Sequence, residues 1–207
     1  MQIQNRRRAM KNIQRILLLV ISGLLFSSLV FAEPQKWDMD KAHSSIYFDI
    51  KHIYATVRGG FTDFSGLVVF DPENKETGSV EFEVKVDSVN TGINKRDDHL
   101  RSEDFFDIGK YPLMSFKSTG VKRLSDDHYT LEGDLTLKDV TKKVSIPFAF
   151  LGLRENPLRA GSYVAGFEAD FTLDRLEYHV GTGKFYDMGV VGKDVRVVVS
   201  LEVMKDK

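Results

Sequence analysis

The sequence predicts an all-β protein, an eight-stranded antiparallel barrel with one short helical segment. Three observations lead to this prediction. Apolar residues recur at every second position, which is the side-chain period of a strand with one buried and one wet face. Such runs occur eight times between turn residues, and no long segment has a helical period. Closing the sheet leaves no unpaired edge, so we favour a barrel over a two-sheet sandwich.

The eight predicted strands follow one another along the chain. The third is the clearest, because Val80, Phe82 and Val84 alternate with charged residues. Pro147 lies inside the sixth and has no N–H for a ladder, so we expect a bulge or a locally open seam near it. Gly59 and Gly60 predict a tight bend at a barrel corner. The predicted strands lie at residues 46–50, 61–70, 80–86, around 114–116, 129–137, 144–150, 167–173 and 195–201.

Residues 90–112 interrupt the β pattern. Turn residues open this stretch, and a short helical segment is predicted around residues 95–107, ending before Pro112. We expect this segment to act as a lid over one end of the barrel, with Phe105 and Phe106 as apolar plugs. A polar network is expected to fasten the lid to the barrel rim through Arg96, Asp97, His99 and Arg101.

The first 32 residues are predicted to be a secretory signal peptide. Five basic residues precede an apolar run at 16–31, and small residues suit cleavage near Ala32. A retained membrane anchor is the alternative, and Arg7-Arg8 leaves a twin-arginine route open. The expected mature chain, residues 33–207, is a single domain located in the periplasm or secreted.

Charge and cysteine content exclude several classes of function. Without residues 1–32 the chain has 24 basic and 30 acidic residues, a net charge of about −6. An acidic chain without a basic stripe argues against nucleic-acid binding. The absence of cysteine excludes disulfides, thiolate metal sites and a cysteine nucleophile. The histidines include no closely spaced ligand pair, and we predict no metal site and no cofactor.

Four motifs occur in order along the expected mature chain. They are Asp40-x-x-His43-Ser44-x-Ile46-x-Phe48-x-Ile50-x-His52, Gly60-Phe61-x-x-Phe64-x-Gly66, Arg96-Asp97-x-His99-Leu100-Arg101-Ser102-x-Asp104-Phe105-Phe106-Asp107 and Tyr111-Pro112-x-x-x-Phe116-x-Ser118. Over residues 37–203 the chain thereby resembles the YceI-like family of polyisoprenoid-binding proteins. This resemblance implies an exported, extended lipocalin-like barrel that holds a long amphiphile, such as a polyisoprenoid or a fatty-acid derivative, in its lumen. One departure follows Arg175, where the family often has an aromatic residue and then Gly, but this chain has Tyr178-His179.

We therefore expect a lipid-binding protein for transport or storage, without catalysis of its own. A strand of ten residues rises about 33 Å, so an apolar tube of that length suits a chain-like ligand. Transient contact with a membrane fits this function, and pairing of two copies is left open. The predicted lipid-binding residues come from the apolar strand faces and the lid: Phe48, Ile50, Phe61, Phe64, Phe82, Val84, Phe105, Phe106, Phe116, Ile146, Phe148, Phe167 and Phe171.

Two alternatives from other classes stay open. Eight strands enclose an interior that side chains alone can fill, so the alternation also fits a self-filled barrel that serves as a protein-interaction module. A cryptic hydrolase is the second alternative, since Ser44 adjoins His43 and Ser102 lies near His99. No Gly-x-Ser-x-Gly elbow frames either serine, so we predict no catalytic residue.

Overall fold

The structure is a computed structural model, and it describes residues 35–207. The predicted signal peptide and its cleavage site lie outside the described residues. Helical elements are the helix Asn94–Arg101, the short helix Lys184–Asp187 and three 3₁₀ turns at Lys75–Thr77, Val86–Ser88 and Arg175–Tyr178. The strands are β1 (Gln35–Met39), β2 (Ser45–His52), β3 (Ala55–Phe61), β4 (Phe64–Phe70), β5 (Ser79–Lys85), β6 (Val89–Asn90), β7 (Leu113–Ser125), β8 (His128–Leu137), β9 (Val140–Glu155), β10 (Ser162–Asp174) and β11 (Val191–Asp206).

The eleven strands form one antiparallel sheet that closes into an eight-stranded barrel. The closed order is β1-β4-β5-β7-β8-β9-β10-β11, and pairing of β1 with β11 completes it. β11 pairs with β2 along its first half and with β1 near its end, so β1 and β2 share one barrel position. β3 pairs with β2, and β4 pairs with β1, so β3 and β4 share the next position. The predicted all-β barrel is confirmed.

Each end of the barrel has its own set of connections. The lid end carries residues 91–112, the β2–β3 and β8–β9 turns, and the connection from Arg175 to Val190. The far end carries Gln35, the β7–β8 turn, and the β9–β10 turn around Leu158. β11 spans both ends, since Val191 pairs with His52 and Asp206 pairs with Ser162. Within residues 35–207, no helix is long and apolar enough to cross a membrane.

Pairing between β9 and β10 stops next to Pro147, as the missing N–H of this residue predicts. The pairs run from Tyr163 with Glu155 to Ala169 with Phe148. In the described chain, β9 pairs before Phe148 only with β8, so residues 140–147 form a free edge towards β10. The predicted open seam is therefore present, and it lies in the lid half of the barrel.

Gly59 and Gly60 do not form the bend that the sequence predicts. Both lie inside β3 and pair with Phe48 and Tyr47 of β2. A Cβ atom on Gly59 would lie 2.4 Å from Cζ of Phe48, and one on Gly60 would lie 2.8 Å from the carbonyl oxygen of Ile46. These glycines therefore allow close packing under an aromatic ring, and the prediction of a bend is wrong.

The lid helix Asn94–Arg101 is held to the barrel mainly through backbone groups of the chain before it. Arg101 donates from Nε to the carbonyl oxygen of Asp87 (2.8 Å) and from Nη2 to that of Val89 (2.9 Å). The buried Asp97 carboxylate accepts from the Thr91 amide (2.9 Å) and hydroxyl (2.5 Å). Arg96 also donates to Thr91, from Nε to Oγ1 (2.7 Å) and from Nη2 to the carbonyl oxygen (2.8 Å).

His99 does not take part in this fastening network. Its Nε2 lies 3.0 Å from Oδ2 of Asp104, which belongs to the same segment. Its ring packs edge-on against Phe105 and Phe185, at centroid distances of 5.0 and 5.7 Å. The predicted fastening is thus confirmed for Arg101, whereas Arg96 and Asp97 bind Thr91 at the start of the lid segment and His99 packs within the lid end.

Replacing Gly133 with Ala is expected to destabilise the barrel. A Cβ on this buried β8 residue would lie 2.5 Å from the Lys117 carbonyl oxygen and 2.5 Å from Cζ of Phe116. A backbone oxygen cannot rotate away, so we expect a loss of about 1–3 kcal/mol in the free energy of unfolding. Urea denaturation should show a lower midpoint at unchanged slope. Gly120→Ala in β7 is the control, because a Cβ added there would have nothing within 4 Å, and an equal loss there would contradict the packing argument.

Candidate functional site

The barrel encloses a cavity of about 760 Å³. Its wall comes from the inward positions of the strands, and its lid end is covered by side chains of residues 93–106 and 175–191. Phenylalanine and branched aliphatic side chains dominate the wall. Apolar cavities much smaller than this stay dry and take up apolar guests. The space is therefore suited to a hydrocarbon ligand.

The structure brings almost all predicted site residues together around this cavity. They reach it from six strands and from the lid. Their contact with a lipid stays a prediction. The predicted residues that line the cavity are Phe48, Ile50, Phe61, Phe82, Val84, Phe105, Phe106, Phe116, Ile146, Phe148, Phe167 and Phe171.

Phe64 is the one predicted residue that does not line the cavity. It is buried at the start of β4 in a cluster with Phe61, Val84 and Val89. Val89 belongs to β6, which covers this corner of the barrel by pairing with β3. Phe64 pairs with Val84 and shares its face of the sheet, but it packs into this cluster at the start of β4 instead of lining the lumen.

Several further residues line the cavity outside the predicted set. Those on strands obey the same alternation and are detectable from it: Val57, Met114, Leu131, Leu135, Leu137, Leu173, Val195, Val197 and Val199. Tyr178, Val180 and Phe185 come from the connection between β10 and β11. No periodic pattern marks this connection, so nothing in the sequence indicates their inward position.

A cluster of aromatic rings closes part of the far half of the barrel. Phe70 lies 5.4 Å from Trp37, 5.6 Å from Phe150 and 5.3 Å from Phe167, measured between ring centroids. The indole Nε1 of Trp37 also donates to the carbonyl oxygen of Phe70 (3.1 Å). These rings fill one region and leave the remaining lumen open, so the interior is not filled by side chains alone.

At the lid end, Phe105 and Phe106 pack as the predicted apolar plugs. Phe105 is 6% exposed and stacks on Phe185, with the centroids 5.7 Å apart and the planes 10° apart. Phe106 packs edge-on against Phe61 of β3 at 6.0 Å. Lys138 connects the lid segment to the β10–β11 connection, because its Nζ donates to the carbonyl oxygens of Phe105 and His179, both at 2.7 Å.

Arg175 places a buried cation at the lid end of the cavity. Its guanidinium donates to the carbonyl oxygens of Val180 (2.6 Å) and Gly192 (2.8 Å), and it lies 5.9 Å from the ring centroid of Phe105. Burial lowers the pKa of Arg175, and the nearby Asp174 charge acts in the opposite direction. Burial likewise lowers the pKa of Lys138. The apolar lumen therefore meets a buried cationic group, Arg175, at this end.

The residues considered for catalysis have other hydrogen-bond partners. Ser44 accepts from the Glu202 amide (3.1 Å) and lies 3.3 Å from its carbonyl oxygen, so it connects the β1–β2 loop to β11. Ser102 donates to the carbonyl oxygen of His99 (2.8 Å) at the end of the lid helix. His43 lies 2.8 Å from Asp40, and this hydrogen bond raises the pKa of the imidazole. Neither serine is oriented by a histidine ring in these contacts.

His43 also belongs to a group of three side chains with metal-ligating atoms. The group comprises Asp40, His43 and Glu202, whose ligand atoms lie within 4.8 Å of one another. The His43 side chain is largely exposed, and its hydrogen bond to Asp40 already accounts for the proximity of these two groups. The group lies where the β1–β2 loop meets β11, and none of its members lines the cavity.

Comparisons with known proteins match almost the whole described chain. The "UPF0312 protein" of Pectobacterium atrosepticum is 35% identical over 191 residues, which cover 92% of this chain and 96% of the relative. "Protein YceI" of Escherichia coli O157:H7 is 35% identical over 192 residues, covering 89% and 97%. The crystal structure of Burkholderia cenocepacia BcnA has a TM-score of 0.71 at 26% identity, covering 80% of this chain and 99% of that one. The family model for the YceI-like domain matches residues 37–203, and this chain belongs to that family.

Proposed function

We propose that this protein is an exported carrier that holds one long-chain amphiphile, such as a polyisoprenoid or a fatty-acid derivative, inside the barrel. The observation that carries the proposal is the apolar cavity of about 760 Å³ behind a packed lid. A chain-like lipid fits this cavity because the strands around it are long: β7 to β11 have 10 to 16 residues each. Such strands rise about 33–53 Å along their length.

Burial of hydrocarbon accounts for the affinity of such a carrier. Removing roughly 400 Å² of apolar ligand surface from water contributes on the order of 10 kcal/mol. Ordering the chain and losing translational freedom cost several kcal/mol, so an affinity of about micromolar to nanomolar is expected. No chemical step is required for this role.

Two further observations support the proposal. The basic start and apolar run within residues 1–32 favour export to the periplasm or the medium. A Saccharophagus degradans protein with the same fold, at a TM-score of 0.60 and 14% identity, is described as a polyisoprenoid binding domain. At that identity only the fold is shared, so the ligand of this chain has to be identified directly.

Native mass spectrometry of the full chain, expressed in a bacterial host and purified without detergent, tests the proposal. We expect a protein mass of the chain cleaved near Ala32 plus one lipid adduct per barrel. Organic extraction of the same sample then identifies the adduct. Protein that carries no adduct, and takes up none from added polyprenyl phosphate or fatty acid, would refute the carrier function.

A further inference from the structure

Five large apolar side chains are exposed on the loops of the lid end. The fractions of their surfaces that remain exposed are 55% for Ile53, 98% for Tyr54, 53% for Ile93, 43% for Tyr186 and 62% for Met188. They come from three connections: the β2–β3 turn, the residue before the lid helix, and the connection from β10 to β11. We call these five residues the apolar rim. Concentration of exposed apolar groups at one place marks an interaction surface.

The apolar rim borders the lid end of the cavity. Ile93 itself lines the cavity, and so do His52, next to Ile53, and Phe185, next to Tyr186. The Ile53 amide donates to the carbonyl oxygen of Val190 (2.9 Å), which holds two of the three connections together. A surface that binds the rim therefore lies directly beside the lid.

The β2–β3 turn exposes Ile53 and Tyr54, which are not the residues that a two-residue turn normally contains. His52 pairs with Ala55, so Ile53 and Tyr54 form a two-residue hairpin loop. Ile53 has a φ of 53°, in the left-handed region that favours Gly, Asn or Asp and disfavours β-branched residues. Such a conformation is unfavourable for a β-branched residue, and neither side chain compensates by burial within the chain. A local conflict of this kind is typical of a functional site.

Three lysines and one carboxylate, Asp187 between Tyr186 and Met188, lie among the rim residues and leave the rim with a net positive charge. Lys51 precedes the β2–β3 turn, Lys95 follows Ile93 by two residues, and Lys184 precedes Tyr186 by two residues. All three are exposed, and within residues 35–207 none has a carboxylate oxygen within 4.0 Å of its Nζ. Exposed aromatic and aliphatic side chains between lysines that have no ion-pair partner match the surface of a bilayer that contains anionic lipids.

We propose that the apolar rim docks on the surface of an anionic lipid bilayer. Tyr54, Met188 and their neighbours enter the interfacial region, and the three lysines face acidic headgroups. Docking places the lid against the bilayer, so a lipid passes between membrane and cavity without crossing water. This inference rests on the proposed carrier function and assigns it a surface.

Vesicle flotation with the purified chain tests the docking surface. Wild-type protein should float with vesicles of phosphatidylcholine and phosphatidylglycerol, and at least tenfold less with phosphatidylcholine alone. The variant Ile53→Asn/Tyr54→Gly/Met188→Ser should lose binding to the anionic vesicles by at least tenfold. Its Asn-Gly turn is the favoured one for a two-residue hairpin, so the variant is expected to fold. The matched control is Leu158→Ser, which removes a side chain 94% exposed at the far end, and it should bind like wild type.

Three outcomes would overturn the docking proposal: no flotation of the wild type, undiminished flotation of the rim variant, or equal loss in the Leu158→Ser control. A second copy of the chain is the alternative partner for the rim, and sedimentation velocity tests for it. A dimer that is lost in the rim variant alone would make the rim a contact between two copies. Native mass spectrometry of the same proteins keeps the two proposals apart. A retained lipid without flotation refutes docking alone, whereas protein that carries no lipid and takes up none when it is added refutes the carrier function.

Discussion

Replacing Val197 with Trp is expected to weaken lipid binding by roughly 100-fold while the protein stays folded. Val197 lines the cavity from β11 and lies between its strand partners Phe48 and Phe171. An indole ring at this place displaces at least four methylene groups of a bound chain. At about 0.8 kcal/mol for each buried methylene, the loss is about 3 kcal/mol, which corresponds to the stated factor. Titration with a fluorescent fatty acid measures it.

Val198→Trp is the matched control for this prediction. Val198 is the next residue on the same strand, does not line the cavity and pairs with Tyr47 and Asp170. Adjacent residues of a strand face opposite sides, so the added ring projects away from the lumen. Equal affinity of the two variants would contradict a ligand site inside the barrel. Circular dichroism of both variants reports whether the sheet is intact.

Replacing Phe105 and Phe106 together by Ala is expected to accelerate lipid release by at least tenfold. Phe105 stacks on Phe185, and Phe106 packs against Phe61, so the two rings connect the lid to both sides of the barrel mouth. Truncation of a buried Phe costs about 3–5 kcal/mol, and the half-buried Phe106 should cost less than Phe105. The measurement is the dissociation rate of a fluorescent lipid after addition of excess unlabelled lipid.

Phe105→Leu/Phe106→Leu is the control for the lid prediction. It preserves most of the apolar volume, so release should stay within a few-fold of wild type. Thermal unfolding of all three proteins shows whether the Ala variant is still folded at the assay temperature. An unchanged dissociation rate in a folded Ala variant would mean that the lid does not retain the ligand.

The strand pattern predicts the barrel well because burial on one face leaves a local signature. In β10, Phe167, Ala169 and Phe171 alternate with polar residues, and all three line the cavity. Pro147 likewise predicts the seam between β9 and β10, because the missing donor is a property of the residue itself. These features depend on near neighbours in the sequence, which a pattern can report.

Features that depend on distant contacts are not predictable in the same way. The sequence indicates a bend at Gly59, and only the structure shows the Phe48 ring that requires a glycine there. Phe64 obeys the strand alternation, yet it packs into a cluster with Val89 of β6, a residue 25 positions away, and does not line the lumen. The pattern does not reveal strand β1, because its five residues carry a short and weak alternation. Its pairing with β4 and β11, across most of the chain, is what closes the barrel.

A crystal structure of protein purified without detergent tests the central claim most directly. We expect elongated, continuous electron density inside the barrel, passing Val197 and Phe82 and ending near the lid. Density of that shape, together with an identified lipid in the same crystals, would support a hollow carrier. A lumen in which the rings of Phe82, Phe148 and Phe167 have collapsed together, with no space for a hydrocarbon chain, would contradict it.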